Sequence, residues 1–256
     1  MKRSLALALL VACRASAHDF WIEPSAFRPV AGERVTAALR VGQKLHGEPL
    51  PRIPPLIDRF VLNAAPMIGA AGSDPAGIAR VAEPGLQWIG YQSNPYPVTL
   101  DAQKFEQYLR DEGLERVIAE RAKRGESVAD GRERFYRCAK ALLDAGDSGT
   151  GSADLPLGFT LELLPRKNPY AMRGGGALPL RLLFRGKPAA SILVVAMSKD
   201  DPDQAVRART DAKGHVTLRL SHPGFWLIKA VQMQRAPLDA GVDWESWWAS
   251  LTFELR

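Results

Sequence analysis

Beyond Gly158 the chain is written in short alternating runs broken by turn residues, and that pattern most constrains its fold. Residues 159–164 alternate apolar and polar and stop at Pro165. Residues 178–184 run into Arg185-Gly186-Lys187-Pro188, and 191–197 read as a buried strand. Asp211-Ala212-Lys213-Gly214 is a hairpin turn with glycine where positive φ is wanted, and residues 215–220 alternate strictly behind it. Pro223-Gly224 leads into 225–231, and 247–255 gives a closing strand. Turn signals every 8–12 residues between such runs point to a β-sandwich of immunoglobulin-like or transthyretin-like type.

The first half carries similar signals. Residues 34–42, 59–63 and 85–92 read as strands, whereas the prolines at 49, 51, 54 and 55 exclude a helix or central strand between them. Residues 101–145 change period. Asp101 is an N-cap candidate, with Phe105, Tyr108 and Leu109 on one helical face and Leu114, Val117, Ile118 and Arg121 continuing the spacing. A second helix is expected over 132–143, with Phe135, Cys138 or Ala139, and Leu142 inward. Its charged face (Arg132, Glu133, Arg137, Lys140) would be solvated. Ala145 to Ser152 is the best linker. The expected division is therefore a leader at 1–17, a β-rich half at 18–100, a helical insertion at 101–145 and a C-terminal β-sandwich module at 146–256.

The amino terminus sets the compartment. Lys2 and Arg3 precede the short apolar run 4–13, and Ala15-Ser16-Ala17 supplies the small residues of an export-cleavage site. The run is too short to cross a bilayer, and no later segment of the sequence qualifies. Cleavage after Ala17 predicts a periplasmic protein that begins at His18. A rival reading of Leu10-Val11-Ala12-Cys13 is a lipoprotein box that would leave a lipidated Cys13. Removing residues 1–17 takes away Lys2, Arg3 and Arg14 and no acid, which lowers the net charge from +6 to +3. The remaining basic residues are dispersed, which argues against a nucleic-acid partner. Cys138 is then the only cysteine and is expected to pack on a helix, not to react.

Several stretches together resemble a known family. They are Ala17-His18-Asp19-Phe20-Trp21-Ile22-Glu23-Pro24, the strand 88–94, the helical 104–109 with Glu112-Gly113-Leu114, and residues 178–188, 210–214, 224–231 and 247–253. On these the chain is similar to the bacterial periplasmic domain-of-unknown-function 4198 family, NikM-like proteins labelled as nickel/cobalt-transport periplasmic components. The resemblance implies a metal-uptake role beside an inner- or outer-membrane transporter. Many of those relatives carry histidine before methionine after the W-L-I-K-A-V stretch, where this chain has Gln232 and Met233.

The chemistry expected from the residues centres on His18. A free α-amine and an imidazole on one residue chelate nickel, cobalt or copper, and amine and imidazole nitrogens suit such ions. The bland alternative is a histidine that merely packs the first strand. His46, in the polar loop 43–48, could fold over the terminus, and Met233 with Gln232 could add soft or weak ligation. His215 and His222 read as turn residues. No H-x-H, H-x₃-H or C-x₂-C pair supports a preformed zinc site, and no G-x-S-x-G, P-loop or H-E-x-x-H supports an enzyme. The expectation is a non-enzymatic binder of nickel, cobalt or copper using His18, Met233, Gln232 and His46. Two alternatives stay open. One is a metal-free binding or interaction module that uses Trp244, Trp247 and Trp248 as an aromatic platform, and the other is a histidine-brace copper monooxygenase.

Overall fold

The computed structural model describes residues 18–172 and 175–256, so the expected leader and Cys13 lie outside the described residues. In chain order the strands are β1 (Asp19–Pro24), β2 (Arg34–Gln43), β3 (His46–Leu50), β4 (Ile57–Leu62), β5 (Ala65–Pro66), β6 (Gly77–Arg80), β7 (Gly85–Ser93) and β8 (Tyr96–Leu100). Helices α1 (Ala102–Asp111) and α2 (Glu115–Lys123) follow. Then come β9 (Gly131–Ala145), β10 (Leu161–Pro165), β11 (Gly176–Phe184), β12 (Lys187–Pro188), β13 (Leu193–Ser198), β14 (Val206–Arg209), β15 (His215–Leu220), β16 (Gly224–Arg235) and β17 (Trp244–Leu255).

One large sheet runs β14-β13-β16-β17-β9-β7-β4-β5, with β8 also paired to β9. Two small sheets flank it. The first joins β1, β2, β3 and β6, and the second joins β10, β11, β12 and β15. The period-2 rule sorts the large sheet's side chains onto two faces. From β9, Cys138 and Leu142 meet Leu161, Leu178, Leu218 and Trp226 beneath the second small sheet. Ala139, Ala141 and Leu143, on the other face, meet Phe20, Ile22, Val35 and Leu39 of the first small sheet. Farther along that same face, Val231, Met233, Trp244 and Trp248 are covered by Phe105, Tyr108, Leu109 and Val117 of the helices. The chain is mainly β and sandwich-like with two helices, as the turn spacing predicts.

The helical segment is an excursion from a hairpin. Leu100 of β8 pairs with Gly131 of β9, and α1 and α2 lie between them. Asp101 caps α1 as expected, its Oδ1 accepting from the Lys104 backbone N–H at 2.9 Å.

The helix expected over 132–143 is instead the longest strand, β9. From Cys138 to Ala145 it is buried on both faces, so no alternation announces it. The charges read as a solvated helical face are mostly internal, with Glu133 2% and Lys140 1% exposed. Lys140 donates to Glu162 Oε1 at 2.8 Å, and Glu162 also accepts from the backbone N–H groups of Leu157, Gly158 and Phe159. Cys138 is buried as expected, though on a strand, and burial pushes its thiol up to about 12.

The turn at 211–214 forms, with Gly214 at φ +75° and its N–H bonded to Asp211 O. It does not close a hairpin, because β14 belongs to the large sheet and β15 to a small one.

Candidate functional site

The residues with the most unusual chemistry meet where the first small sheet abuts the helical pair. Burial of Phe20, Trp21 and Ile22 lays β1 against the large sheet. That brings His18 and Asp19 to β9, β16 and the C-terminal end of α1. Lys229 of β16 reaches between two carboxylates, with Nζ 2.6 Å from Asp19 Oδ1 and 2.7 Å from Glu112 Oε1. Burial opposes the charge on Lys229, but the two acids outweigh it and hold its pKa above the usual lysine value. Glu112 is pushed up by burial, with Lys229 opposing and Asp19 adding to the rise.

Arg137 projects from β9 into the same seam. Its Nη1 donates to the His18 carbonyl at 2.7 Å, and its guanidinium lies 4.8–5.4 Å from the ring centres of Phe135, Trp248 and Phe20. Two residues earlier than Phe135 on the same face, Glu133 accepts from Tyr108 Oη at 3.2 Å and bonds Ser246 Oγ, which in turn accepts from Trp248 Nε1 at 2.9 Å. Burial pushes the Glu133 carboxyl up to about 7, although the bonds from Ser246 and Tyr108 favour its charged form. His18 is lowered from its ordinary value, by burial first and then by Arg137, with Asp19 opposing.

The four residues expected to share a metal do not converge. Asp19 pairs with Gly42 and Gly42 with Gly47, so the same register, continued by one step, leaves Gln43 between His18 and His46. At ordinary strand spacing this separates the two histidine backbones by about 10 Å. Met233 packs among Phe105, Tyr108 and Trp248, about 13 Å along β16 from Lys229 at strand rise. Gln232 precedes it on the strand and therefore points to the opposite face. Among the described residues no group of three or more His, Cys, Asp and Glu side chains could hold a metal ion. The charges acting on His18 are Arg137 and Asp19. His222 packs at a tilt against Trp226, and His215 begins β15 in the second small sheet, so neither comes to His18 as a brace partner.

The aromatic platform is corrected as well. Trp244, Trp247 and Trp248 are only 0%, 3% and 7% exposed. Trp247 and Trp248 do point to opposite faces, as their adjacency requires, the first stacking on Tyr136 and the second on Tyr108. Sequence reasoning read Glu133 and Arg137 as part of a solvated helical face and gave Lys229 and Glu112 no role of their own. The signal was charge placed where apolar residues were due: Lys229 inside an apolar strand, and Glu133 and Arg137 inside β9.

Fold and seam together define a mainly β, sandwich-type protein with a buried ionic cluster at one edge of its first strand. The chain belongs to the family described as Domain of unknown function (DUF4198), whose family model matches residues 15–234. That match takes in the seam residues of β1, α1, β9 and β16 but stops short of Ser246 and Trp248 on β17. No curated protein matches the chain. Among solved structures it is similar to the D0-D1 domain of intimin, at 12% identity over 92% of this chain and 97% of that one, with a TM-score of 0.23. Among the described residues no helix is long and apolar enough to cross a membrane.

Proposed function

We propose that this is an exported, non-catalytic protein that handles a nickel, cobalt or copper ion at His18 and passes it to a membrane transporter. The observation that carries this reading is the fixation of the backbone at His18. Its carbonyl is bonded by Arg137, Asp19 is held by Lys229, and the next three residues are buried. A terminal amine and its own imidazole, presented on a strand already ordered, bind without a further ordering cost. The lowered pKa of His18 favours the neutral ring, the form that ligates metals. With His46, Met233 and Gln232 elsewhere, the protein offers two nitrogens and leaves the remaining positions open. The Arg137 guanidinium at the His18 carbonyl weakens the hold on a dication further. Both features suit transfer better than storage.

Titration calorimetry with Ni(II) and Cu(II) tests the reading on protein that begins at His18, against a form with one residue left before it. The processed form is expected to bind at least tenfold more tightly, and His18→Ala should match the extended form. Equal, weak binding by all three would sink the proposal.

A further inference from the structure

Arg137 carries donors that the fold does not use. A guanidinium has five N–H groups in a planar fork. Among the described residues only Nη1 finds a side-chain bond, to His18 O at 2.7 Å. The neighbouring carboxylates are committed elsewhere, Asp19 to Lys229 and Glu133 to Tyr108 and Ser246. The cation is walled by the rings of Phe135, Trp248 and Phe20 at 4.8, 5.3 and 5.4 Å. Those walls hold its plane and keep water from its faces. Arg137, His18 and Phe135 all stay partly exposed, and the exposed ring of Tyr96 lies 5.8 Å from that of Phe135, so the seam opens to solvent here. Asp19 and Glu133 lie near enough to act on its charge, yet neither is bonded to the fork, and a bidentate carboxylate would fill the free donors with two parallel charge-assisted bonds.

We propose that Arg137 is a ligand-binding residue that takes the carboxylate of a small organic acid at the free edge of its guanidinium, beside the ring of His18. The inference goes beyond the metal reading and does not need it, because the arginine supplies the binding charge by itself.

The test uses protein freed of metal on a chelating resin, in a zwitterionic buffer near neutral pH. Succinate and acetate are the probes, with inorganic phosphate as the control anion. Titration is expected to change the fluorescence of the tryptophans, among them Trp248, saturably with either carboxylate, and to shift the Arg137 Nε–H resonance in the unmutated protein. Arg137→Lys keeps the charge but loses the fork, and should weaken carboxylate binding at least tenfold. The resonance shift keeps the test valid should that variant fail to fold. Three results would overturn the proposal: no shift at saturating succinate, phosphate binding as tight as succinate, or carboxylate binding seen only after Ni(II) or Cu(II) is restored. The last would leave the metal reading standing while removing this one.

Discussion

Glu133 shows how one internal acid ties stability to pH. Free glutamate titrates near 4.5, and burial pushes Glu133 up to about 7. Between those values the folded chain keeps a proton that the unfolded chain has released, so stability falls as pH rises through that window. The full span corresponds to about 3 kcal/mol. Glu133→Gln keeps an acceptor for Tyr108 and Ser246 but cannot ionise. Urea denaturation should therefore show the variant gaining on the parent between pH 5 and pH 8. A stability difference that stays constant between the two pH values would rule this out. The same residue shows why the seam was hard to see from sequence. Glu133 and Arg137 sit four apart, a spacing that reads as a helical ion pair on a wet surface. On a strand the same spacing puts both on one face and inside.

The elements were unequally legible for a definable reason. Strands with one wet face, such as β15, announced themselves through alternation, and their turns carried the expected glycines. β9 did not, because it is covered on both sides and its apolar residues matched a 3.6 period by accident. Asp101 and the apolar face behind it gave α1 correctly, since a cap and a periodic face are both local signals. What no local signal could give was the partner surface of α1. A Cβ on Gly131 would lie 2.2 Å from Phe105 Cγ, so α1 docks on bare strand backbone. Gly131→Ala is expected to lower stability by about 1–3 kcal/mol through overpacking. Phe105→Leu in the same chain should recover part of that loss, and thermal melts of the two single variants and the double variant measure the coupling. Strict additivity would show that the ring and the glycine do not compete for the same space.

At the scale of the whole molecule, the boundary expected at 145/146 divides residues that share a sheet. β9, before the boundary, pairs in parallel with β17, after it, from Trp244↔Glu133 to Thr252↔Ala141. Lys140 and Glu162 fasten the same two segments across a sheet interface. Fragments 18–145 and 146–256 are therefore expected to lack cooperative unfolding when made separately and to regain it when mixed, as followed by far-UV circular dichroism during heating. A cooperative melt from either fragment alone would contradict the shared sheet. The position of β17 also bears on how the chain comes to be folded. Of all the strands it stands latest in the sequence, yet it fills a slot between β16 and β9 near the centre of the large sheet. A growing or threading chain that has delivered everything up to Arg235 still has two open ladders facing each other across a gap. Both carry unpaired N–H and C=O groups, and both offer templates for a neighbouring copy. Completion of the sheet must wait for Trp244–Leu255 to arrive, so loss of β17 would convert a closed sheet into a sticky one.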